Sequence, residues 1–175
     1  MTNTYKTEAI VIKRRNWKEA DKILTVFTKE YGKINVVAKG VRKLSSRRAP
    51  VVELFNHTEL MLHQASFLDI VTEAAIHNSF ETIKKDLVRI SRAYEACELV
   101  EYLTGEDQEN EDVFYLLLSY LEQINTHEPA STAQFKRQIL SALGYLSEKD
   151  SIEQEIDAFI ESIAERRLTA PRIYE

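Results

Sequence analysis

Hydrophobic and polar positions follow one period in the first half of the chain and another in the second. Glu8-Ala9-Ile10-Val11-Ile12 is a short β-branched run, Lys22 to Thr28 is another, and Lys33 to Lys39 alternates with period two. Lys29-Glu30-Tyr31-Gly32 joins the second and third runs, and its glycine suits a tight hairpin turn. Two further runs, Val51 to His63 and Phe67 to Ile76, are separated by Gln64-Ala65-Ser66. Five strands ahead of residue 80, mostly joined by short turns, predict a small Greek-key barrel. SH3-like barrels share that strand count, so the pattern alone leaves the barrel type open.

After Ser79 the period becomes helical. Ile83, Leu87, Ile90, Tyr94 and Cys97 fall on one apolar stripe, with Ser79 as the N-cap and Gly105 as the terminator. Glu106 to Asp112 reads as a solvated acidic connector. A second helix carries Phe114, Leu117, Leu118, Leu121 and Ile124 and stops before Pro129. A third carries Phe135, Ile139, Leu140 and Leu143, with Gly144 at its C-terminal end. The fourth carries Ile152, Ile156, Phe159 and Ile163 and stops before Pro171. No internal repeat or low-complexity tract interrupts this order. The predicted fold class is α+β, β first and α second: a barrel domain over residues 1–79, then an all-α domain over residues 80–175.

Composition narrows the chemistry. Hydrophobic residues make up 44% and charged ones 29% of the 175, a mix able to bury a core. No apolar run approaches the ~20 residues of a membrane helix. Met1-Thr2-Asn3-Thr4-Tyr5-Lys6 has no apolar stretch behind it, so neither a membrane nor a signal peptide is expected. A single cysteine, Cys97, excludes an internal disulfide and a thiolate zinc site, and on the helical stripe it reads as a core residue. A reducing cytoplasm is the expected compartment. The four glycines are too scattered for a dinucleotide fingerprint. Gly32-Lys33 could end a phosphate loop only with a glycine at position 27, where Phe27 stands. His57, His63, His77 and His127 include no i, i+4 pair, and the acidic connector lacks the spacing of a calcium loop. No catalytic residue, metal or cofactor is expected, and nothing marks the chain as an enzyme.

Charge changes the picture most. The net charge of −5 hides a basic block: residues 1–50 hold 13 Lys/Arg against four acids. Residues 51–79 add four acids and no base, and residues 80–175 hold 10 bases against 20 acids. A compact basic block attracts polyanions by releasing their counterions, whereas an acidic helical half reads as a solvated surface. Lys13, Arg14, Arg15 and Lys18 flank Trp17 between the first two strands. Lys39, Arg42, Lys43, Arg47 and Arg48, with Ser45 and Ser46 among them, can reach several phosphates at once. Trp17, Tyr31 and Phe27 are candidate base-stacking surfaces, and Trp17 reads equally as a core plug.

These residues also carry a resemblance. Glu19 to Lys33 resembles the early segment of bacterial RecO proteins. Val37 to Arg47 resembles that family's basic AKG-x-R-[RK]-x-x-SR stretch, and Glu8 to Ile12 and Leu140 to Tyr145 fit at matching places. The resemblance implies an oligonucleotide-binding (OB) barrel followed by a helical domain. It implies a mediator of recombinational DNA repair, without covalent chemistry, located in the cytoplasm on the nucleoid. Such a protein binds single- and double-stranded DNA and anneals complementary strands. With RecR, and sometimes RecF, it assists loading of RecA onto DNA coated by single-strand-binding protein. Lys39, Arg42, Lys43 and Arg47 match the family's basic loop, and Lys22 and Lys33 sit where the family places further cations. Lys13, Arg14, Arg15, Lys18 and Arg48 are added from charge density alone. Many members carry four cysteines after the stretch matched by Leu140 to Tyr145. Here Leu146 to Asp150 follows without one, so no zinc is expected. Phe159 to Leu168 resembles the family's terminal helix moved close to Tyr145, which leaves contact with single-strand-binding protein open. Two readings from other classes stand beside this one: an RNA-binding or ribosome-associated barrel protein, and an adaptor acting through its helical half.

Overall fold

A computed structural model describes residues 3–126, 130–147 and 155–171. The chain divides into two compact units, residues 1–79 with 105–110 and residues 80–104 with 111–175.

The first unit is built on β1 (Thr4–Trp17), a strand long enough to serve two neighbours. Its first half pairs with β4 (His57–His63) and its second half with β2 (Asp21–Thr28), both antiparallel. A bulge between Val11 and Lys13 bends the strand between these duties. β3 (Gly32–Ala38) continues the meander from β2, and β5 (Asp69–Asn78) pairs antiparallel with β4. A parallel contact between β3 and β5, Val36 with Asp69 and Val37 with Ile70, closes the barrel in the order β1-β2-β3-β5-β4. That order is an OB fold, which decides the question that strand counting left open. Ala9, Val11, Leu24, Val26, Val36, Ala38, Leu60, Leu62 and Val71 fill the interior.

Several strand boundaries differ from the sequence reading. β1 extends well beyond Glu8–Ile12 at both ends, because its polar flanks are paired backbone rather than loop. The fourth strand starts at His57 rather than Val51. The N–H groups of Val51 and Val52 both donate to Arg48 O in a turn, and the Asn56 side-chain amide donates to the carbonyls of Pro50 and Val51.

The acidic connector is also more than a solvated loop. Asp107 N–H donates to Lys33 O at 3.0 Å and Asn35 Nδ2 donates to Glu106 Oε1 at 3.2 Å, so residues 105–110 form part of the barrel unit. Gly32 permits this approach. Its φ is +66°, and a Cβ there would lie 1.8 Å from Gln108 O.

The second unit contains α1 (Glu81–Lys84), α2 (Leu87–Leu103), α3 (Glu111–Asn125), α4 (Thr132–Ala142) and α5 (Ile156–Ala164). The predicted first helix is thus two. Asp86 takes an extended conformation, accepts from Arg89 N–H at 3.0 Å and starts α2 afresh. Ser79 is not the cap: Phe80 holds that position in a left-handed conformation, and Asn125 Oδ1 receives the N–H groups of Thr82 and Ile83. The predicted stripe is only partly correct, since Leu87 is 68% exposed and Tyr94 is exposed as well. The buried face of α2 instead includes two carboxylates. Glu95 pairs with Lys136 of α4 at 2.5 Å, and Lys136 also reaches Asp157 of α5 at 2.8 Å. Glu98 accepts from the N–H groups of Thr169 and Ala170.

Gly144, at φ +79°, ends α4 as expected, with Tyr145 N–H bonded to Leu140 O and Gly144 N–H to Ser141 O. The last helix stops at Ala164 instead of running on towards Pro171, because Glu165 is left-handed and the following residues reach Glu98. Ile152 and His127 lie outside the described residues. Among the described residues no helix is long and apolar enough to cross a membrane.

A Gly32→Ala substitution combines a left-handed alanine, costing about 1–2 kcal/mol, with a backbone clash against Gln108. The urea midpoint should fall by at least that equivalent with an unchanged slope, whereas Gly144→Ala, which meets nothing within 4 Å, should show the conformational cost alone.

Candidate nucleic-acid interface

Strand register gathers most of the predicted cations at one rim. Trp17 pairs with Asp21, Asn16 with Lys22, and Lys22 in turn with Ala38. The end of β1, the start of β2 and the end of β3 therefore meet, and Lys13, Arg14, Arg15, Lys18, Lys22 and Lys39 come with them. The segment after β3 is tied down at the same place. Gly40 N–H donates to Asp21 Oδ1 at 2.8 Å and Arg42 N–H to Ala20 O at 2.9 Å. Arg42 Nη1 donates to Lys18 O at 3.2 Å, joining the two basic segments directly.

Apolar anchors hold the same segment from below. Val41 and Val52, both nearly fully buried, belong to the barrel core cluster. Between them Arg48 acts as a clamp. Its guanidinium donates to the carbonyls of Val71 (2.7 Å), Thr72 (3.3 Å) and Lys39 (3.0 Å), fastening the loop across β5. Arg42, Lys43 and Arg47 remain exposed on this pinned backbone, and Leu44 at its tip is fully exposed.

The predicted cations therefore fall into three groups. Lys13, Arg15, Lys18, Lys39, Arg42, Lys43 and Arg47 are exposed. Arg14, Lys22 and Arg48 are half-buried: Arg14 pairs with Glu53 at 2.5 Å, and Arg48 serves the carbonyls above. Lys22 holds its proton less tightly than an ordinary lysine, first because it is partly buried and next because Arg14 lies beside it. Glu53 opposes this and Arg42 adds to it.

Lys33 departs from the sequence reading. It is 8% exposed and stands at the opposite end of β3 from Lys39, where its backbone forms a parallel bridge with Glu106, so it lies apart from the other cations. Among the stacking candidates, Phe27 is fully buried in the structure and is removed. Tyr31 is exposed but its ring packs edge-on against Tyr5 at 4.8 Å, near Lys33. Trp17 is 36% exposed and lies at the basic rim, so it is not a core plug.

The end of the barrel near Lys33 has an opposite character that charge counting did not find. A cleft of about 360 Å³ is lined by Tyr5, Tyr31, Phe67, Asp69, Glu106 and Asp107 among others. Tyr5 donates to Asp69 Oδ2 at 2.6 Å, and burial, followed by that bond, raises the tyrosine pKa. Phe67, 82% exposed, was read as the start of a strand but lies in the loop before β5. In the helical unit Cys97 is fully buried, and desolvation raises its thiol pKa, the opposite of what a nucleophile needs.

A closed OB barrel with cations concentrated along one rim and on an adjoining pinned loop, followed by a helical unit, defines the class. The N-terminal part, residues 1–80, matches the family model described as Recombination protein O N terminal, and residues 84–151 match Recombination protein O C terminal. The chain belongs to the RecO family. It is 43% identical over 143 residues to DNA repair protein RecO of Roseiflexus sp. (strain RS-1), covering 81% of this chain and 50% of that protein. It is 39% identical over 145 residues to DNA repair protein RecO of Symbiobacterium thermophilum, with 81% and 57% covered. For the protein of that name from Dehalococcoides mccartyi the identity is 34% over 146 residues, with 82% and 58% covered. The chain thus spans about half the length of the curated relatives it matches.

Neighbouring arginines should separate support from presentation. Arg48→Ala removes charge-assisted bonds to main-chain carbonyls and should lower stability by about 1–3 kcal/mol in urea titration. Arg47→Ala, at an exposed position, should stay within about 0.5 kcal/mol of the parent.

Proposed function

We propose that this chain acts in recombinational DNA repair as a non-enzymatic mediator, binding single- and double-stranded DNA through the basic rim of its barrel. The observation that carries this reading is the set of exposed cations, Lys13, Arg15, Lys18, Lys39, Arg42, Lys43 and Arg47, held on one rim and one pinned loop. Phosphates approaching that rim release their counterions and offset the mutual repulsion of its cations. Two complementary strands brought to such a surface lose part of their mutual repulsion, which is the physical basis for annealing. In this reading the protein works with RecR, and sometimes RecF, to load RecA onto DNA covered by single-strand-binding protein. It does so on the cytoplasmic nucleoid, needing neither metal nor organic cofactor. Family membership supports the role, as do relatives that bear the name DNA repair protein.

The test is fluorescence anisotropy of a labelled single-stranded oligonucleotide across a salt series. With four to six phosphates neutralised, the logarithm of affinity should fall against the logarithm of salt with a slope of about −3 to −4. In the triple variant Arg42→Glu, Lys43→Glu, Arg47→Glu the slope should flatten by about 0.7 per lost contact and affinity should collapse for every sequence. Unchanged affinity in that variant would remove the rim from the mechanism. An RNA strand of matched sequence bound more tightly than DNA would favour the RNA-binding alternative.

A further inference from the structure

We propose that Trp17 is a base-stacking platform that makes the basic rim selective for unpaired nucleotides. The proposal rests on the DNA-binding reading above and goes beyond it by assigning the preference between single and double strands to one side chain. Trp17 is the only tryptophan in the chain and closes β1 at the reversal into β2. Earlier residues of the same strand, Ile10 to Ile12, are at most 5% exposed, whereas Trp17 keeps 36% of its surface in solvent and is absent from the barrel core cluster. Leaving a tryptophan so placed forgoes burial that the strand obtains for its other large apolar residues.

Its neighbours explain what could cover it. Arg15, two residues earlier and therefore on the same side of the strand, holds its guanidinium 5.7 Å from the ring centroid. Lys18, the next residue, turns with φ +51°, and its carbonyl is gripped by Arg42 of the basic loop. The ring thus carries Arg15 over one face and stands one residue from the carbonyl that Arg42 holds, where a phosphate backbone would be drawn and the other face is offered to a base. A base is planar, apolar on its faces and linked to phosphates a few ångströms away, and every base has such a face. In a duplex those faces are covered by the adjacent pairs. An unpaired nucleotide can stack on Trp17 where an internal base pair cannot, while the cations serve both kinds of DNA.

Because Trp17 is alone, its own emission reports the contact. The full chain is titrated with a short oligothymidylate and with a duplex of equal length, while anisotropy of a label on the DNA measures binding independently. Quenching of tryptophan emission should accompany single-strand binding and be absent or much smaller with the duplex. Trp17→Ala should weaken single-strand affinity by roughly 5- to 150-fold and leave duplex affinity unchanged, and Trp17→Phe should restore most of the loss. Full anisotropy change without any change in emission would overturn the proposal and leave the DNA-binding reading standing. So would equal losses for single strand and duplex in Trp17→Ala. Absence of binding by the parent protein at low salt would overturn both.

Discussion

The short parallel contact between β3 and β5 is the constraint on which the barrel depends. It joins only Val36 to Asp69 and Val37 to Ile70, yet it converts a three-stranded meander and a hairpin into a closed surface without edges. Parallel neighbours need a long crossover, and here residues 39–68 supply it, with β4 inside it. The stretch before β4 must therefore travel over the barrel instead of turning tightly at its end. It does so with Val41 and Val52 set into the core and Arg48 bonded across to β5. The basic loop is thus the outward side of the segment that closes the fold.

Gathering positive charge in this way has a cost that the structure divides among its members. Arg14 is paired with Glu53, Arg48 donates to main-chain carbonyls, and Lys22 is partly buried beside Arg14, which loosens its hold on its proton. The remaining cations stand in solvent, where the high dielectric screens their repulsion. Since the loop backbone is already ordered, binding a polyanion need immobilise side-chain ends only, and little chain entropy is lost.

Much of this was legible in the sequence because the barrel interior imposes alternation on every strand. The five strands, the helix ends at Leu103 and Ala142, and the basic block all follow from period, glycine placement and charge. Other features were hidden for particular reasons. The ends of β1 are paired backbone carrying mostly polar residues, so apolar content underestimates the strand. Glu95 and Glu98 lie on the buried face of α2, where partners distant in sequence, Lys136 and the 169–170 backbone, make carboxylates acceptable. Arg47 and Arg48 are adjacent and chemically identical, yet one is exposed and the other clamps carbonyls, a difference set by contacts more than twenty residues away. Lys33, which the resemblance grouped with the other cations, lies at the opposite end of β3 from Lys39, because matching a motif does not show which end of a strand a residue occupies.

The incorporation of Gly105–Asn110 into the barrel unit gives synthesis of this chain a definite order. When residue 79 has been added, every strand exists but the partners of Lys33 O and Asn35 Nδ2 do not. Those partners follow only after the whole of α2, so at about 5–20 residues per second they are added roughly 1–6 s after residue 79. The barrel is finished by a piece of chain made after the helix that interrupts it, so folding on the ribosome cannot proceed strictly one unit after the other.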